Sequence, residues 1–293
     1  MKKTALLRKY IQEEEILLLP VMHDALCARI AQQTGFKAIF TAGYANSAAL
    51  LGQPDVSLLT LTEMVDCAWR IVDAVDLPVF ADGNTGHGNV TNVRRTVQLF
   101  EKAGVAGLFI EDQVSPKRCG HLEGKQVVPA ADMVAKLKAA LDARVDPDLV
   151  IMARTDALGV HGLEEALRRA HLYREAGADM IFVEAPESVA QMRRITREVN
   201  APTLVNLIVG GKTPLLTAAE LQEIGYAAAA YATACTCVMA RAVQDLLAEL
   251  LHTGSIAGCR QRMLSFEQFH ELVGLREIRE AEERYCRALL EDA

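Results

Sequence analysis

Eight short apolar runs rich in β-branched residues recur along the chain, and most are separated by longer stretches with helical spacing. The runs are Leu17–Met22, Ala38–Thr41, Pro78–Asp82, Gly107–Glu111, Leu149–Arg154, Met180–Glu184, Thr203–Asn206 and Ala228–Tyr231. Because they are continuously apolar rather than alternating, they predict strands buried on both faces, as in a parallel sheet. The clearest intervening stretch, around Glu164–Tyr173, places apolar residues at the i, i+3, i+4 spacing of an amphipathic helix.

The order of these segments predicts an α/β fold, a (β/α)₈ TIM barrel that forms a single domain over residues 1–293. A helix followed by Ala-Gly and then a strand occurs at Ala103-Gly104 and Ala176-Gly177, and glycine just past a helix end suits a left-handed cap. A doubly wound sheet is the alternative, and it is disfavoured because no Gly-x-Gly-x-x-Gly follows the first strand. Helical sequence from about residue 235 to 293 exceeds what barrel closure needs, so we expect it to pack on another subunit.

Composition excludes several other classes of protein. The chain of 293 residues is 51% hydrophobic, which excludes whole-chain disorder. Its net charge of −7 makes nucleic acid a poor partner. No apolar run is long enough for a membrane span, and Glu13–Glu15 interrupt the start before a secretory signal could form. Seven scattered cysteines favour a reducing cytoplasm over a disulfide framework.

Charged and amide side chains end the predicted strands, where a barrel carries its active site. Asp55 follows the second strand, and the strand ends are Thr41-Ala42-Gly43, Asp82-Gly83-Asn84, Glu111-Asp112-Gln113, Arg154-Thr155-Asp156, Glu184 and Asn206. Single acids at such positions also cap helices, but a whole ring of acids around one mouth would repel itself unless a cation were bound. Oxygen-only ligands favour Mg²⁺, with Mn²⁺ possible.

The loop Val114–His121 follows a strand end and is dense in reactive residue types. Lys117, Arg118 and His121 flank Cys119, and such surroundings favour a thiolate or a ready proton donor. Gly120 permits unusual backbone angles, which suits a loop that opens and closes.

Together, Glu111-Asp112-Gln113 and the run Lys117–His121 resemble the isocitrate lyase and phosphoenolpyruvate mutase superfamily. The resemblance extends over most of the chain through Leu51–Asp55, Asp82–Gly88, Ala153–Ala157 and Gly210–Pro214. It implies a (β/α)₈ barrel whose last helix is exchanged between subunits, in a homo-oligomer that is a dimer of dimers. It also implies Mg²⁺ and a small 2-oxo or 2-hydroxy acid substrate, with bonds to C3 of an enolpyruvate-like fragment made or broken.

The resemblance assigns roles to individual residues. Asp82 would be the main metal carboxylate, Asp55 and Glu111 would act mostly through waters, and Asn84 stands where the family more often has Asp. The remaining assignments are backbone amides near Ala42, Gly43 and Tyr44 for the substrate carboxylate, Arg154 for the same oxyanion, Glu184 and Asn206 for the pocket wall, and Cys119 as loop acid amid Lys117, Arg118 and His121. The general base stays open between Tyr44 and a metal-bound hydroxide.

The substrate is expected to be a dicarboxylate with apolar substituents. Val209 stands where many related lyases have glutamate, and no arginine follows the eighth strand until Arg241 to bind a third carboxylate. We therefore expect a carbon–carbon lyase of the 2,3-dimethylmalate or 2-methylisocitrate type that releases pyruvate and a second acid. The alternatives are phosphorus–carbon mutase chemistry, oxaloacetate decarboxylation, and a catalytically dead binding barrel.

Some other residues are assigned structural roles. Cys235 and Cys237 have no Cys or His pair near them in sequence and are expected to pack as small apolar residues. His23 is expected to form a local hydrogen bond beside Asp24, and Trp69 is expected in the core.

Overall fold

The computed structural model describes residues 1–291, with side chains through residue 286. Eight parallel strands form one sheet in the order β1-β8-β7-β6-β5-β4-β3-β2, and a parallel bridge between Val21 and Phe40 joins its two edges. The strands are β1 Leu17–Pro20, β2 Ile39–Thr41, β3 Val79–Asp82, β4 Gly107–Glu111, β5 Val150–Thr155, β6 Met180–Val183, β7 Thr203–Asn206 and β8 Ala228–Tyr231. The predicted (β/α)₈ barrel is confirmed, and each predicted run coincides with one strand to within a residue or two at its ends.

Helices follow the strands around the barrel, as the spacing predicts. They are α1 Lys3–Gln12, α2 Ala25–Thr34, α3 Gly43–Leu51, α4 Leu61–Ala74, α5 Val90–Lys102, α6 Ala130–Ala143, α7 Leu158–His161, α8 Leu163–Glu175, α9 Val189–Glu198, α10 Ala218–Ile224, α11 Ala234–Thr253, α12 Phe266–Leu272 and α13 Leu275–Glu291, with a 3₁₀ helix at Ala257–Arg262. Gly104 and Gly177 both have positive φ. Both predicted helix ends therefore use glycine in the left-handed region.

Aromatic rings fill the interior of the barrel beneath its mouth. Phe40 stacks on Phe80 with ring centroids 5.2 Å apart and on Phe109 at 5.9 Å, and Phe109 meets Phe182 edge-on at 6.1 Å. A second cluster packs the outer faces of the strands against α4, α5, α6 and α8.

Two of the residues expected to pack as apolar side chains do not. Trp69 is half exposed beside the Arg70 guanidinium, because α4 buries Met64 and Ile71 instead. Cys235 packs against an apolar cluster, but Cys237 is exposed. Residues two apart on a helix point in different directions, so burial of one does not carry over to the other.

A buried carboxylate ties the ends of β4 and β5 together. Asp112 accepts hydrogen bonds from Thr155 Oγ1 at 2.7 Å, from the Asp156 amide at 2.9 Å, and from Tyr173 Oη at 2.8 Å. Arg169 Nη1 lies 3.0 Å from the same carboxylate and neutralises it. Asp112 therefore has a structural role. It holds two residues at the mouth: Glu111, which precedes it in the chain, and Asp156, which follows the neighbouring strand β5.

The chain divides into two compact units, residues 1–236 and 237–293. The first contains the barrel. The second contains most of α11 and the helices that follow it, and it leaves large apolar side chains such as Val238, Leu247, Leu251 and Phe266 exposed. Within residues 1–291, none of the helices combines the length and apolar character needed to cross a membrane.

Candidate active site

A cleft with an enclosed volume of about 50 Å³ opens at the carboxyl ends of the strands, where a (β/α)₈ barrel carries its active site. Its lining includes nine of the fourteen residues to which the resemblance assigns a role: Ala42, Tyr44, Asp55, Asp82, Lys117, Cys119, Arg154, Glu184 and Asn206. The others, Gly43, Asn84, Glu111, Arg118 and His121, lie outside the lining and act on residues within it or on the loop. The structure therefore brings the strand-end residues and the loop together at one mouth.

Asp55 and Asp82 converge beside the start of α3. The Gly43 amide donates to Asp82 Oδ2 at 2.8 Å, and a Cβ at Gly43 would lie 3.1 Å from that oxygen and 3.3 Å from Asp55 Oδ1. The Asn84 amide donates to Asp82 Oδ1 at 2.8 Å. Both Asp82 oxygens are thus oriented by backbone donors, and glycine at position 43 is what leaves room for two carboxylates at one point.

Lys117 provides the positive charge among these acids. Its buried ammonium pairs with Asp55, and the charges of Glu111, Asp55 and Asp82 overcome its burial and raise the pKa of Lys117 above its usual value. A side chain from the loop thus balances the charge of the predicted metal ligands.

Glu111 lies beneath the mouth with 1% of its surface exposed. Neither carboxylate oxygen has a hydrogen-bond partner among the described residues, and the nearest cation, Arg154 Nε, is 3.4 Å away. Burial raises the pKa of Glu111 to about 8, against the opposing charges of Arg154 and Lys117. A buried carboxylate in this state requires further positive charge or a proton.

Arg154 is the hub of the buried charges. Its Nε lies 2.9 Å from Asp156 Oδ2 and its Nη1 lies 3.5 Å from Glu184 Oε2, while the guanidinium stands 5.0 Å above the Phe182 ring. Burial opposes ionisation of Asp156, yet Arg154 and Lys125 together lower its pKa to about 2. Arg154 therefore keeps its charge and a fixed direction toward the cleft.

Lys125 is a residue of the site that the sequence reasoning missed, and Asp156 was placed at a strand end without a role of its own. Lys125 Nζ lies 3.0 Å from Asp156 Oδ1 and also donates to the Gly120 carbonyl, so it fastens the loop to the end of β5. The signal that could have found Lys125 is its position soon after Lys117, as a second lysine following the fourth strand.

Gln113 sets the path of the loop, and Cys119 faces the cleft. The Gln113 amide donates to the Arg118 carbonyl at 2.9 Å and accepts from the Arg118 N–H at 3.1 Å. The Arg118 guanidinium points instead to the Glu123 carbonyl. Burial is the main cause that raises the pKa of Cys119. At neutral pH the side chain is therefore a thiol, in the protonation state of an acid rather than a thiolate nucleophile.

Gly120 is required for space rather than for backbone freedom. Its φ is not in the positive region, but an added Cβ would lie 2.5 Å from Glu184 Cγ. The loop backbone at Gly120 is therefore in close contact with the side chains of Arg154 and Glu184.

His121 connects the loop to the segment after β7. Its Nδ1 accepts from the Lys212 amide at 3.0 Å, so the proton is on Nε2. That Nε2 faces Glu184 Oε1 at 2.8 Å. Although burial pushes the pKa of Glu184 upward, Arg154 and His121 hold it below its usual value. Asn206 Nδ2 donates to the same carboxylate at 3.3 Å, which joins two of the predicted pocket residues.

The remaining wall of the cleft is apolar. It is formed by Val21, Phe40, Phe109, Phe182, Leu204, Ile208, Ala230 and Ala232. Val209, which stands where many related lyases have glutamate, is exposed, and the neighbouring Ile208 lines the cleft instead. The cleft thus offers both charged side chains that can bind carboxylates and apolar surface that can bind alkyl groups.

The predicted metal ligands suit a hard cation held partly through water. Asp55, Asp82 and Glu111 offer only oxygen, yet among the described residues they do not bring three ligand atoms within 4.8 Å of one another. Mg²⁺ commonly binds through one or two carboxylates and keeps several waters. The unpartnered Glu111 oxygens and the two oriented Asp82 oxygens fit that mode of binding.

A (β/α)₈ barrel with acids, buried cations and a cysteine loop at the carboxyl ends of its strands is typical of an enzyme. Comparison with known proteins identifies the family. Residues 7–251 match the family model described as phosphoenolpyruvate phosphomutase, so the chain belongs to the phosphoenolpyruvate mutase family. It is 47% identical to the 2,3-dimethylmalate lyase of Eubacterium barkeri over 98% of this chain and 99% of that one. It is 44% identical to a chloroplastic carboxyvinyl-carboxyphosphonate phosphorylmutase of Arabidopsis thaliana, over 94% and 83%. It is 39% identical to a 2-methylisocitrate lyase of Aeropyrum pernix, over 92% and 86%.

Solved structures agree with this assignment. A crystal structure of a 2,3-dimethylmalate lyase, described as a member of the PEP mutase/isocitrate lyase superfamily, superposes with a TM-score of 0.92 at 32% identity, over 97% of this chain and 96% of that one. A phosphonopyruvate hydrolase solved with oxalate and Mg²⁺ gives 0.89 at 28% identity, over 98% and 100%. The superfamily, its predicted branches and the expected class of enzyme, a carbon–carbon lyase, are confirmed.

The link between His121 and Lys212 predicts a measurable effect on the loop. In Gly211→Ala the new Cβ would lie 2.7 Å from His121 Nδ1, which displaces the ring and breaks the bond to the Lys212 amide. A net hydrogen bond is worth about 1 kcal/mol, so we expect trypsin cleavage after Arg118 to accelerate about fivefold or more. Mass spectrometry of timed digests measures this.

Lys212→Ala is the matched control, because it removes an exposed ion pair to Glu123 and keeps the backbone donor. Such exposed pairs contribute little to stability. Equal cleavage rates in Gly211→Ala and the unmodified chain would contradict the proposed link.

Proposed function

We propose that this chain is a divalent-metal-dependent carbon–carbon lyase that cleaves an alkyl-substituted 2-hydroxy dicarboxylate of the 2,3-dimethylmalate type. The products are pyruvate and a second carboxylic acid, which is propanoate for 2,3-dimethylmalate itself. One observation carries the proposal: the cleft joins oriented carboxylates and buried cations to an apolar wall, with the Cys119 thiol on its loop. The identity to a 2,3-dimethylmalate lyase supports the same substrate class.

The number of cations supports a dicarboxylate. Among the described residues that line the cleft, the cations are Lys117 and Arg154, and both already pair with protein carboxylates. Arg241, the first arginine after β8, lies in the second compact unit and pairs with Asp245. A third substrate carboxylate would lack a partner, whereas an alkyl group gains the apolar wall.

The cation, proposed as Mg²⁺ with Mn²⁺ as substitute, would be held directly by Asp82 and through waters by Asp55 and Glu111. Asn84 contributes by donating its backbone N–H to Asp82, since its side-chain oxygen accepts from the Thr85 amide. A bound divalent cation supplies Lewis acidity that eases ionisation of the substrate hydroxyl.

The chain's own residues would perform the remaining steps. Arg154 binds the carboxylate next to the hydroxyl-bearing C2, helped by the N-terminus of α3 at Ala42–Tyr44. The Gly43 amide itself is taken by Asp82. Tyr44 lines the cleft, and in its phenolate form it would take the hydroxyl proton and become the neutral phenol.

Bond cleavage follows from that proton transfer. The electron pair left on oxygen forms the C2 carbonyl of pyruvate as the C2–C3 bond breaks, and C3 keeps the bonding pair as the enediolate of the second acid. The Cys119 thiol gives its proton to C3, and Lys117 and Arg154 offset the charge that develops. The apolar wall and the loop exclude water meanwhile.

A substrate panel tests the proposal. Purified full chain with Mg²⁺ is given 2,3-dimethylmalate, 2-methylisocitrate and oxaloacetate, each with and without EDTA, and pyruvate release is followed. We expect EDTA-sensitive pyruvate from 2,3-dimethylmalate at the highest kcat/KM. Pyruvate from oxaloacetate alone would replace the proposal with decarboxylation. Absence of pyruvate, with phosphorus NMR showing turnover of carboxyphosphonoenolpyruvate, would replace it with mutase chemistry.

Cys119→Ser tests the proton donor. General acid catalysis typically contributes at least about 100-fold, so we expect kcat to fall by that order while the Kd for Mn²⁺, measured by calorimetry, stays unchanged. Cys237→Ser, at an exposed cysteine, is the matched control and should keep full turnover. Unchanged kcat in Cys119→Ser would remove this residue from the mechanism.

We also propose that the barrel forms one domain with a helical appendage that exchanges between subunits in a dimer of dimers. The exposed apolar residues of α11 support this, since a face containing Leu247 and Leu251 needs a cover. The seven free cysteines support a reducing, cytoplasmic setting.

The double variant Leu247→Glu, Leu251→Glu should lower the mass measured by sedimentation equilibrium from that of a tetramer, because charge cannot be buried in an apolar interface. Val145→Glu, at an exposed apolar residue after α6, should leave the mass unchanged. A monomeric unmodified chain would contradict the proposed assembly.

A further inference from the structure

A second group of ligand-type side chains lies at the start of α2. Ligand atoms of His23, Asp24 and Cys27 all come within 4.8 Å of one another. Among the described residues, this is the one group in which three ligand atoms from His, Cys, Asp or Glu lie within that distance of one another. None of the three residues lines the cleft or belongs to the lyase chemistry proposed above.

The separations match the edges of a metal polyhedron. His23 Nε2 lies 3.5 Å from Cys27 Sγ and 3.5 Å from Asp24 Oδ2. The second distance is longer than a normal N–H···O hydrogen bond. Four-coordinate zinc, with bonds of about 2.0–2.3 Å to nitrogen, oxygen and sulfur, holds its ligand atoms about 3.3–3.6 Å apart.

The local fold holds these side chains in place. Asp24 caps α2, and its Oδ1 accepts from the Cys27 amide at 2.7 Å while Oδ2 faces His23. One carboxylate oxygen therefore fixes the turn and leaves the other for a ligand.

The buried imidazole of His23 directs its Nε2 edge at the other two side chains. His23 is 2% exposed, and its Nδ1 has no hydrogen-bond partner among the described residues. The contacts of the ring are therefore on its Nε2 side, where Cys27 Sγ lies at 3.5 Å, within hydrogen-bond range for sulfur. The Asp24 side chain is about half exposed. That exposure gives a cation a way in and leaves water to complete its coordination.

We propose that His23, Asp24 and Cys27 bind a thiophilic divalent cation of the zinc class in a structural site separate from the catalytic mouth. The mixed sulfur, nitrogen and oxygen set prefers such a cation over Mg²⁺, whereas Asp55, Asp82 and Glu111 offer oxygen alone.

The position of the site suggests what a bound cation would do. His23 lies two residues beyond Val21, which lines the cleft, so the cation would brace the turn between β1 and α2. Cys67, which donates to the His23 carbonyl, and Cys235 pack in the same apolar cluster as Cys27. This cluster would support the ligands from behind.

Cobalt(II) is the probe, because thiolate coordination gives it a sulfur-to-metal band in the near ultraviolet and tetrahedral geometry gives it visible absorption. Metal-stripped full chain is titrated with Co²⁺, and we expect both features to saturate at one equivalent and to be removed by Zn²⁺. In Cys27→Ser the near-ultraviolet band is lost. Asp24→Asn keeps an N-cap acceptor and removes the ligand charge, so it should weaken Co²⁺ binding while circular dichroism shows an intact fold.

Cys119→Ser and Cys237→Ser are the matched controls and keep the band. A wild-type chain without the band, a band that persists in Cys27→Ser, or a band that disappears in Cys119→Ser would each overturn the proposal. These outcomes do not depend on turnover, so failure of this site and failure of the lyase assignment are distinguishable.

Discussion

The burial of carboxylates at the strand ends is the constraint on which the rest of this structure depends. Asp82, Glu111, Asp156 and Glu184 lie at the mouth of one barrel, and all four are buried. Ionised groups lose several kcal/mol of hydration in such a place unless cations and donors replace the water. Arg154 meets three of them and stands over the Phe182 ring. The face of that ring is electron-rich and adds to the stabilisation of the guanidinium.

The loop takes part in this charge balance as much as the strands do. Lys117 pairs with Asp55, Lys125 with Asp156, and His121 faces Glu184. A single segment after β4 therefore brings charged or protonated groups to acids that follow β2, β5 and β6. Each contact supplies a buried acid with a cation or an N–H group, so the position of the loop and the charge balance of the site depend on each other. The same contacts place Cys119 in the cleft.

The strands could be predicted from the sequence, but the ion pairs between loop cations and strand-end acids could not. Continuous apolar runs mark buried parallel strands, and strand ends must share one face, so Asp82, Arg154 and Asn206 could be grouped without coordinates. Which cation meets which acid depends on pairs far apart in the chain, and Lys125 went unnoticed for that reason. Trp69 shows another limit, since a helical pattern gives a face but not the exposure of each residue on it.

The two proposed metal sites of this barrel differ in donor type and spacing, and this difference affects how a metal dependence of the protein is interpreted. Affinity for most protein sites rises toward Cu²⁺ and Zn²⁺ whatever the site is for, so selectivity rests on donor type and geometry. Asp55, Asp82 and Glu111 spread oxygen donors too widely for a compact tetrahedral ion and leave room for the waters that Mg²⁺ retains. The cluster at the start of α2 is close enough for a small thiophilic ion and includes the sulfur it prefers. If both proposed sites bind their cations, a chelator would combine two effects, one on turnover at the mouth and one on the turn between β1 and α2, and the donor chemistry of each site would separate them.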